Sequence, residues 1–476
     1  MKKGEIYEGE VERVDFPNKG IVGNCIVKNV IPGQRVRFMI NKHKSGQYEG
    51  RLLEVISRAA CESPAKACLH FGICGGCVYQ DMDYNAQLEL KASQVKKLLS
   101  VCGHDYEYEG ILPSPRINDY RNKVELTFGD EYKDGPLSLG MHISGSFYDI
   151  VTIGDCRIMD KDFRTVMMTT LEYFKERNIP FFHKMRHEGY LRHLIIRKAV
   201  KTGQILVNLV TTTQMDIDLK GYADALSSAE YEGVLTGVVH TSNDSIADAV
   251  INEGTEVLYG RDHIEEELLG LNFRITPFSF FQTNSLAAEV LYEKVREYVG
   301  DTKDKIVYDL YSGTGTIAQI AAPVARRVIG VEIIEEAARA ATLNAKANGL
   351  NNCEFIAGDV LKVIKEIRSL QDTEGGIHEE PVYIGKDSDI SNYRPDIIIL
   401  DPPRDGIHPK AIGPIIDFNA DRIVYVSCKI SSLSRDLPIF ESRGYRLIKA
   451  CSIDMVPGTT GIETCCLLER IRSAHH

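Results

Sequence analysis

No apolar run in this 476-residue chain is long enough to cross a bilayer, and no low-complexity tract interrupts it. Met1-Lys2-Lys3-Gly4-Glu5 leads into no apolar signal core, so a cytoplasmic protein is expected. Excess positive charge is lacking too. There are 56 Lys and Arg against 67 Asp and Glu, a formal charge of -11. That balance works against indiscriminate nucleic-acid binding, which rests on neutralising phosphates, so any such contact would be local. No membrane, DNA or obligate protein partner is expected. What the chain does have is 43% apolar residues, a globular composition, and a length that calls for two or three domains. Its 12 cysteines do not fit a disulfide scaffold, which belongs to small secreted chains. Several lie singly inside strand-like runs, so a reduced compartment with one metal cluster is the better account.

Residues 1–58 alternate short strand signals with turns such as Pro17-Asn18-Lys19-Gly20 and Pro32-Gly33, the pattern of a small barrel. Over residues 1–60, eleven Lys and Arg face seven Asp and Glu, a balance of +4. A phosphate-binding face and an ordinary solvated face both fit it. Cys61, Cys68, Cys74 and Cys77 follow, the last three spaced C-x5-C-x2-C in a Gly-rich stretch. Thiolates so close in sequence suit an iron-sulfur cluster or zinc, and either needs a fourth ligand, for which Cys61 is a near candidate. From about Asp119 to Leu271 the chain is mixed α/β without repeats. Alternation near 190–198 puts Arg192, Leu194 and Ile196 on one face and His193, Ile195 and Arg197 on the other, with the arginines either edge-strand charges or ligand contacts.

The last domain begins near Thr276. A helix from about Leu286 to Val299 precedes strands at Ile306–Asp309, Val328–Glu332, Cys353–Ala357, Ile397–Leu400 and Arg422–Val426, separated by helical patterns. This alternation predicts a parallel, doubly wound sheet, with a closing antiparallel pair near Arg446–Met455 and Glu463–Arg470. Asp372–Tyr393 reads as a surface insertion. Ligands of such sheets bind outside the carboxyl ends of the strands, so Asp401 and Cys428, each ending an apolar run, should face one cavity. That sets a carboxylate beside a candidate nucleophile. After the first strand, YSGTGT is a turn whose glycines let the backbone approach a ligand closely. It is not the dinucleotide fingerprint, because Ala318 stands where the third glycine would be. Glu332 ends the next strand, where an acid accepts ribose hydroxyls, and Asp359 follows the third.

These motifs carry a resemblance. SFFQTN (Ser279 to Asn284), DLYSGTGT (Asp309 to Thr316), DPPR (Asp401 to Arg404), VSC (Val426 to Cys428) and GIET (Gly461 to Thr464), with the cysteine cluster, resemble in order and spacing the S-adenosylmethionine-dependent RNA uracil-5 methyltransferases. The likeness is greatest to the iron-sulfur-containing bacterial branch that acts on 23S ribosomal RNA. It implies a Rossmann-like class I methyltransferase domain at 276–476. It further implies a mixed α/β central domain at 59–275, facing RNA and holding a [4Fe-4S] cluster on Cys68, Cys74, Cys77 and Cys156, and an OB-like TRAM barrel at 1–58 that grips RNA. S-adenosylmethionine would contact Gln282, Tyr311, Thr316, Glu332, Asp359 and Asp401. Carbon 5 of uracil is a poor nucleophile, and a thiolate adding to carbon 6 makes an enolate that can attack the methyl sulfonium. The resemblance gives that thiolate to Cys428 and removal of the carbon 5 proton to Glu463. A base within structured RNA would have to be flipped out, and Phe280 and Phe281 beside Gln282 either stack on it or belong to the core.

Two positions depart from the family pattern. Lys429-Ile430 follows Cys428 where a proline is common at the second position, and Gly461-Ile462 precedes Glu463 where His-Val is usual. The rival readings are an amino-methyltransferase acting on adenine or guanine, which needs no cysteine, a uridine-5 methyltransferase acting on transfer RNA, and an RNA-binding protein without turnover.

Overall fold

The computed structural model describes residues 1–44, 46–63, 68–371 and 394–471; the expected insertion at 372–393 lies outside them. The chain opens with strands β1 (Ile6–Glu10), β2 (Arg13–Asp15), β3 (Lys19–Val22), β4 (Cys25–Val27), β5 (Arg35–Lys44) and β6 (Gln47–Ser57). They form one sheet in the order β1-β5-β6-β4-β3-β2. Only Val11 and Glu12 separate β1 from β2, yet these strands hold opposite edges, so the sheet curls around the buried Val14, Val27, Val36 and Phe38. Among the described residues no ladder joins the two edges. The barrel expected over 1–58 is here a curled, open sheet, with strands of three or four residues along one side. Its core is completed by Tyr79, Met82 and Leu90 from the segment that follows.

Helix α1 (Tyr84–Leu99) starts where the Asp83 carboxylate accepts the Asn85 amide at 2.9 Å. Strand β7 (Glu107–Leu112) comes next and pairs in parallel with a strand of the last domain, although sequence grouping put it in the middle one. The middle sheet contains β8 (Lys123–Asp130), β9 (Leu137–His142), β10 (Ile150–Val151), β11 (Leu191–Lys198), β12 (Gln204–Thr211), β13 (Val234–Ser242) and β14 (Gly254–Gly260), ordered β10-β9-β8-β11-β12-β13-β14. Helices α2 (Lys161–Glu176) and α3 (Lys220–Ser227) cover one face, packing Phe163, Met167, Phe174 and Tyr222 on Leu126, Leu194, Ile196 and Val207.

Strand β11 is central, not an edge, which corrects the exposed reading of its arginines. Arg192 donates to the carbonyls of Asn243 (2.8 Å), Ser245 (2.5 Å) and Ala247 (2.8 Å), and Arg197 donates to those of Pro277 and Ser279. Both are buried, and they spend their donors tying loops together.

A hairpin of β15 (Ile264–Leu268) and β16 (Leu271–Ile275) leads into the last domain. There α4 (Ser285–Val299), β17 (Thr302–Leu310), α5 (Thr316–Ala321), β18 (Ala325–Glu332), α6 (Glu335–Ala347), β19 (Cys353–Ala357), α7 (Val360–Gln371), β20 (Ile397–Leu400), α8 (Pro409–Ile416), β21 (Arg422–Ser427) and α9 (Ile430–Ser442) alternate as the sequence predicts. Strands β22 (Tyr445–Ile453) and β23 (Glu463–Arg470) close the sheet, β23 antiparallel to β21 and to β22. The order is β19-β18-β17-β20-β21-β23-β22-β7. Successive residues of one strand serve opposite cores: Tyr308, Ile398 and Tyr425 face α7, α8 and α9, while Val307, Ile399 and Val424 face α4 and α5. Burial on both faces explains why these strands read as unbroken apolar runs. The chain order reverses between β17 and β20, and a crevice opens at such a reversal.

Candidate active site

The carboxyl ends of β17 to β21 and the start of β23 supply the residues of that crevice. After β17 comes the glycine turn, in which Tyr311 (φ 74°), Gly313 (φ 54°) and Gly315 (φ 73°) all take left-handed conformations. Gly315 is obligatory, because an added Cβ would stand 2.5 Å from the Phe355 ring and 2.7 Å from Ala341. Tyr311 is a strained non-glycine residue whose backbone N–H donates a hydrogen bond to the Val331 carbonyl, 3.0 Å. Glu332 braces the same turn. Its Oε2 accepts the Gly313 amide and its Oε1 the Ile334 amide, each at 2.9 Å. One acceptor position on each oxygen is left open to a ligand hydroxyl.

Asp359 caps α7 by accepting the Lys362 amide (3.1 Å), and its charge reaches the Tyr311 phenol, which burial above all pushes up to about 12. Thr316 is buried at the start of α5, 3.4 Å from the Thr314 hydroxyl, which itself donates to the Phe280 carbonyl. Gln282 is half-buried, its carbonyl held by Asn122 at 2.7 Å. Beside it the two phenylalanines separate: Phe281 is core, against Phe273, whereas Phe280 is 66% exposed over the glycine turn.

Asp401 directly follows β20, and Asp309 is the last residue but one of β17. Burial pushes Asp401 up to about 7. Asp309 rises to about 8 through burial and the charge of Asp401, against the Ala318 amide that it accepts at 3.0 Å. Cys428 follows β21. Burial, then Glu463 and Asp401, push its thiol up to about 11, and Arg404 opposes them. Glu463, first in β23, is held well above the ordinary carboxylate range by burial and then Asp401, again with Arg404 opposing. Tyr292 of α4 closes the floor, its phenol raised by burial and by Asp401, Glu463 and Asp309. So Arg404 lies near both Cys428 and Glu463, and the charge of Asp401 reaches them both. The sequence pattern gives Arg404 no role of its own; its nearness to both Cys428 and Glu463 follows only from how DPPR turns out of the sheet.

Neither departure from the expected pattern disturbs this corner. Helix α9 starts at Ile430, and the first helical position is one where proline is favoured but not required. At Gly461 a Cβ would stand 2.3 Å from Val456, so the glycine permits the close approach that the chain makes there.

The profile of the tRNA (uracil-5-)-methyltransferase family matches residues 83–471. The chain belongs to that family. Its members are S-adenosylmethionine-dependent RNA methyltransferases. Relatives include an uncharacterized RNA methyltransferase of Clostridium tetani, 46% identical over 475 residues with 99% of each chain covered. Another from Caldanaerobacter subterraneus is 46% identical over 476 residues, covering 99% of this chain and all of its own. Among solved structures, the Pyrococcus abyssi tRNA (uracil-54, C5)-methyltransferase in complex with S-adenosyl-L-homocysteine superposes with a TM-score of 0.73, covering 97% of this chain and 100% of its own at 24% identity. The match establishes a shared fold.

The family profile begins at residue 83, after three of the candidate cluster cysteines. Cys68, Cys74, Cys77 and Cys156 nonetheless line one cavity of about 190 Å³, with Arg121, Val124, Leu126, Met141, Ile153 and Ile158 around them. Burial and then the other cysteines raise the Cys77 thiol to about 12. The two segments are tied by the Leu69 amide on Asp155 (3.0 Å) and the Gly75 amide on the His142 carbonyl (3.3 Å). Cys61 lies apart, its sulfur 3.8 Å from the Pro32 carbonyl and packed on the N-terminal core. Among the described residues no three His, Cys, Asp or Glu side chains converge to hold a single metal ion. The four cysteines share this cavity without converging on one point. Among the described residues no helix is long and apolar enough to cross a membrane.

Proposed function

We propose that this protein is a cytoplasmic enzyme that methylates carbon 5 of a uridine in RNA, with 23S ribosomal RNA as the substrate. The observation that supports this most is the neighbouring of Cys428, Glu463 and Asp401 beside the glycine turn. Methylation on an exocyclic nitrogen would require no such thiol. Asp309 and Glu463, raised by burial and by the charge of Asp401, suit a donor bearing a positive sulfonium, which would offset that repulsion. The cofactor contacts assigned are Gln282, Tyr311, Thr316, Glu332, Asp359 and Asp401, with Arg404 steadying the anion at Cys428.

In this scheme the Cys428 thiolate adds to carbon 6, and the electron pair of the 5,6 double bond moves into an enolate. Carbon 5 then takes the methyl group, and S-adenosylhomocysteine leaves. Glu463 removes the carbon 5 proton, the double bond re-forms, and the carbon–sulfur bond breaks to free Cys428. Exposed Phe280 suits stacking against a flipped base or its neighbour. Cys68, Cys74, Cys77 and Cys156 would hold a [4Fe-4S] cluster with a structural role, because methyl transfer moves no net electrons. The curled N-terminal sheet, read as a TRAM-type module, would add RNA affinity.

A second reading, transfer RNA as the substrate, is favoured by the name of the matching family and by the Pyrococcus enzyme that shares the fold. Mapping 5-methyluridine in both RNAs from cells with and without the protein separates the two.

The chemistry is tested by trapping. Cys428→Ala should bind RNA and cofactor yet form no covalent species. Glu463→Gln should leave a methylated RNA adduct that survives denaturing electrophoresis and carries label from methyl-labelled cofactor. Normal turnover by Cys428→Ala would end the uracil-5 reading.

A further inference from the structure

The inward face of α1 carries Gln87, Leu90, Gln94, Val95 and, among them, Lys91, whose side chain is wholly buried. Its Nζ lies 2.7 Å from Oδ1 of Asp454, also fully buried, and donates to the carbonyls of Gly461 (2.9 Å) and Val456 (3.4 Å). All three partners belong to the loop between β22 and β23, and Glu463 stands two residues beyond Gly461. Neighbouring groups grip the same loop. Asn284 Nδ2 donates to the Met455 carbonyl (3.0 Å), the Tyr120 hydroxyl donates to that of Pro457 (3.0 Å), and Gln87 Oε1 accepts the Gly458 amide (2.9 Å). The amides of Val78 and Tyr79, just after Cys77, both donate to the Gly458 carbonyl at 2.9 Å.

A wholly buried ion pair is a weak source of stability, because desolvation of both charges offsets their attraction. What this pair does achieve is geometric: it joins α1 to both ends of one loop. A general base must stand within hydrogen-bond reach of its proton, and a misplacement of about 1 Å can cost on the order of 100-fold in rate.

The geometry assigns Lys91 and Asp454 as positioning residues that set where the Glu463 carboxyl stands, and that therefore govern proton removal and product release more than methyl transfer. This assignment rests on the uracil-5 reading above. The hydrogen-bond partners of Lys91 among the described residues are Asp454, Val456 and Gly461, none of them in the glycine turn or at Cys428, so cofactor binding and adduct formation depend on it little. Release depends on it through the loop.

The test uses the full-length protein, methyl-labelled S-adenosylmethionine and RNA from cells lacking this protein. The variants are Asp454→Asn and the double variant Lys91→Met/Asp454→Leu, which replaces the charges with apolar groups. The expected result is cofactor affinity within about threefold of the unaltered protein, methyl transfer in the first turnover reduced by less than about threefold, release slowed about 10- to 100-fold, and a denaturation-resistant adduct that builds up. Normal release, or first-turnover transfer and release falling by equal factors, would overturn the assignment. If the double variant loses cofactor binding through misfolding, Asp454→Asn, which keeps the side-chain shape and leaves Lys91 on Gly461, carries the test with the same readouts. Glu463→Gln runs alongside. An adduct there with normal release in the Lys91 and Asp454 variants defeats only this assignment, whereas no adduct in Glu463→Gln defeats the uracil-5 reading itself.

Discussion

At Cys428, burial and the carboxylates Glu463 and Asp401 favour the neutral thiol, and Arg404 works against them. The reactive form is the thiolate, whose fraction grows about tenfold per pH unit below the thiol's own pKa. Since that value is raised, few molecules carry the anion at neutral pH, and adduct formation in a single turnover should accelerate from about pH 7 to about pH 9. Glu463 is raised as well, so proton removal gains in the same direction. Arg404→Gln deletes the cation and should slow adduct formation at neutral pH by roughly 10- to 100-fold, the worth of one charge-assisted hydrogen bond, with partial recovery as pH rises. Quenched-flow measurement of the protein–RNA adduct checks this. An unchanged neutral rate would leave Arg404 without a part in activating the thiol.

At the scale of elements, two loops bring together cysteines that are about eighty residues apart. Asp155 binds the amide after Cys68, and Arg164 of α2 donates to the carbonyls of Cys156 (2.6 Å) and Met159 (2.9 Å), so the Cys156 loop is held from both sides. Thiols raised by burial are poor ligands until deprotonated, and assembly of the proposed cluster would supply the compensating charge. Protein purified without oxygen should be brown, with iron and sulfide near four each per chain by elemental assay. Cys156→Ser should lose most of that colour, whereas Cys61→Ser should keep it, since Cys61 faces the N-terminal core. Stoichiometric zinc in colourless protein, or an equal loss in the two variants, would refute this ligand set.

For the whole molecule, the question is how a chain of net charge -11 attracts RNA. The +4 of the first sixty residues is only partly available. Arg37 sits in a ladder across three strands, paired with Glu8 (2.7 Å) and Glu54 (2.5 Å), and Arg35 pairs with Glu8 (3.5 Å). Lys19, Lys28 and Arg51 are exposed on the same sheet. If this face meets phosphates, the combined variant Lys19→Ala, Lys28→Ala and Arg51→Ala should weaken RNA binding and reduce the salt slope by about 1 to 3, while S-adenosylmethionine affinity holds. Binding isotherms across a salt series measure it, and an unaltered slope would remove the sheet from the RNA surface. Deleting the whole sheet would be a poorer experiment, because Tyr79, Met82 and Leu90 complete its core and would be laid open.

The sequence alone determined the catalytic domain. Unbroken Ile- and Val-rich runs such as Ile397–Leu400, set between helical patterns, read as strands buried on both faces, and short motifs at their carboxyl ends mark the crevice, so the place of Asp401, Cys428 and Glu332 at strand ends is legible residue by residue. Local signals also set α4 and the closing strands to within a residue or two. Tertiary structure alone decided matters that depend on distant partners. The transfer of β7 to the catalytic sheet, the central place of β11 that turns Arg192 and Arg197 into internal ties, and the choice of Cys156 over Cys61 in the cysteine cavity all follow from strand order, which no local window encodes. Lys91 left one readable trace, a lysine on the inward face of a helix, but its partner stands 363 residues away. Periodicity reports which face of an element is buried; only the assembled fold reports against what, because burial of a charge is tolerable only where a distant segment supplies its counterion and acceptors.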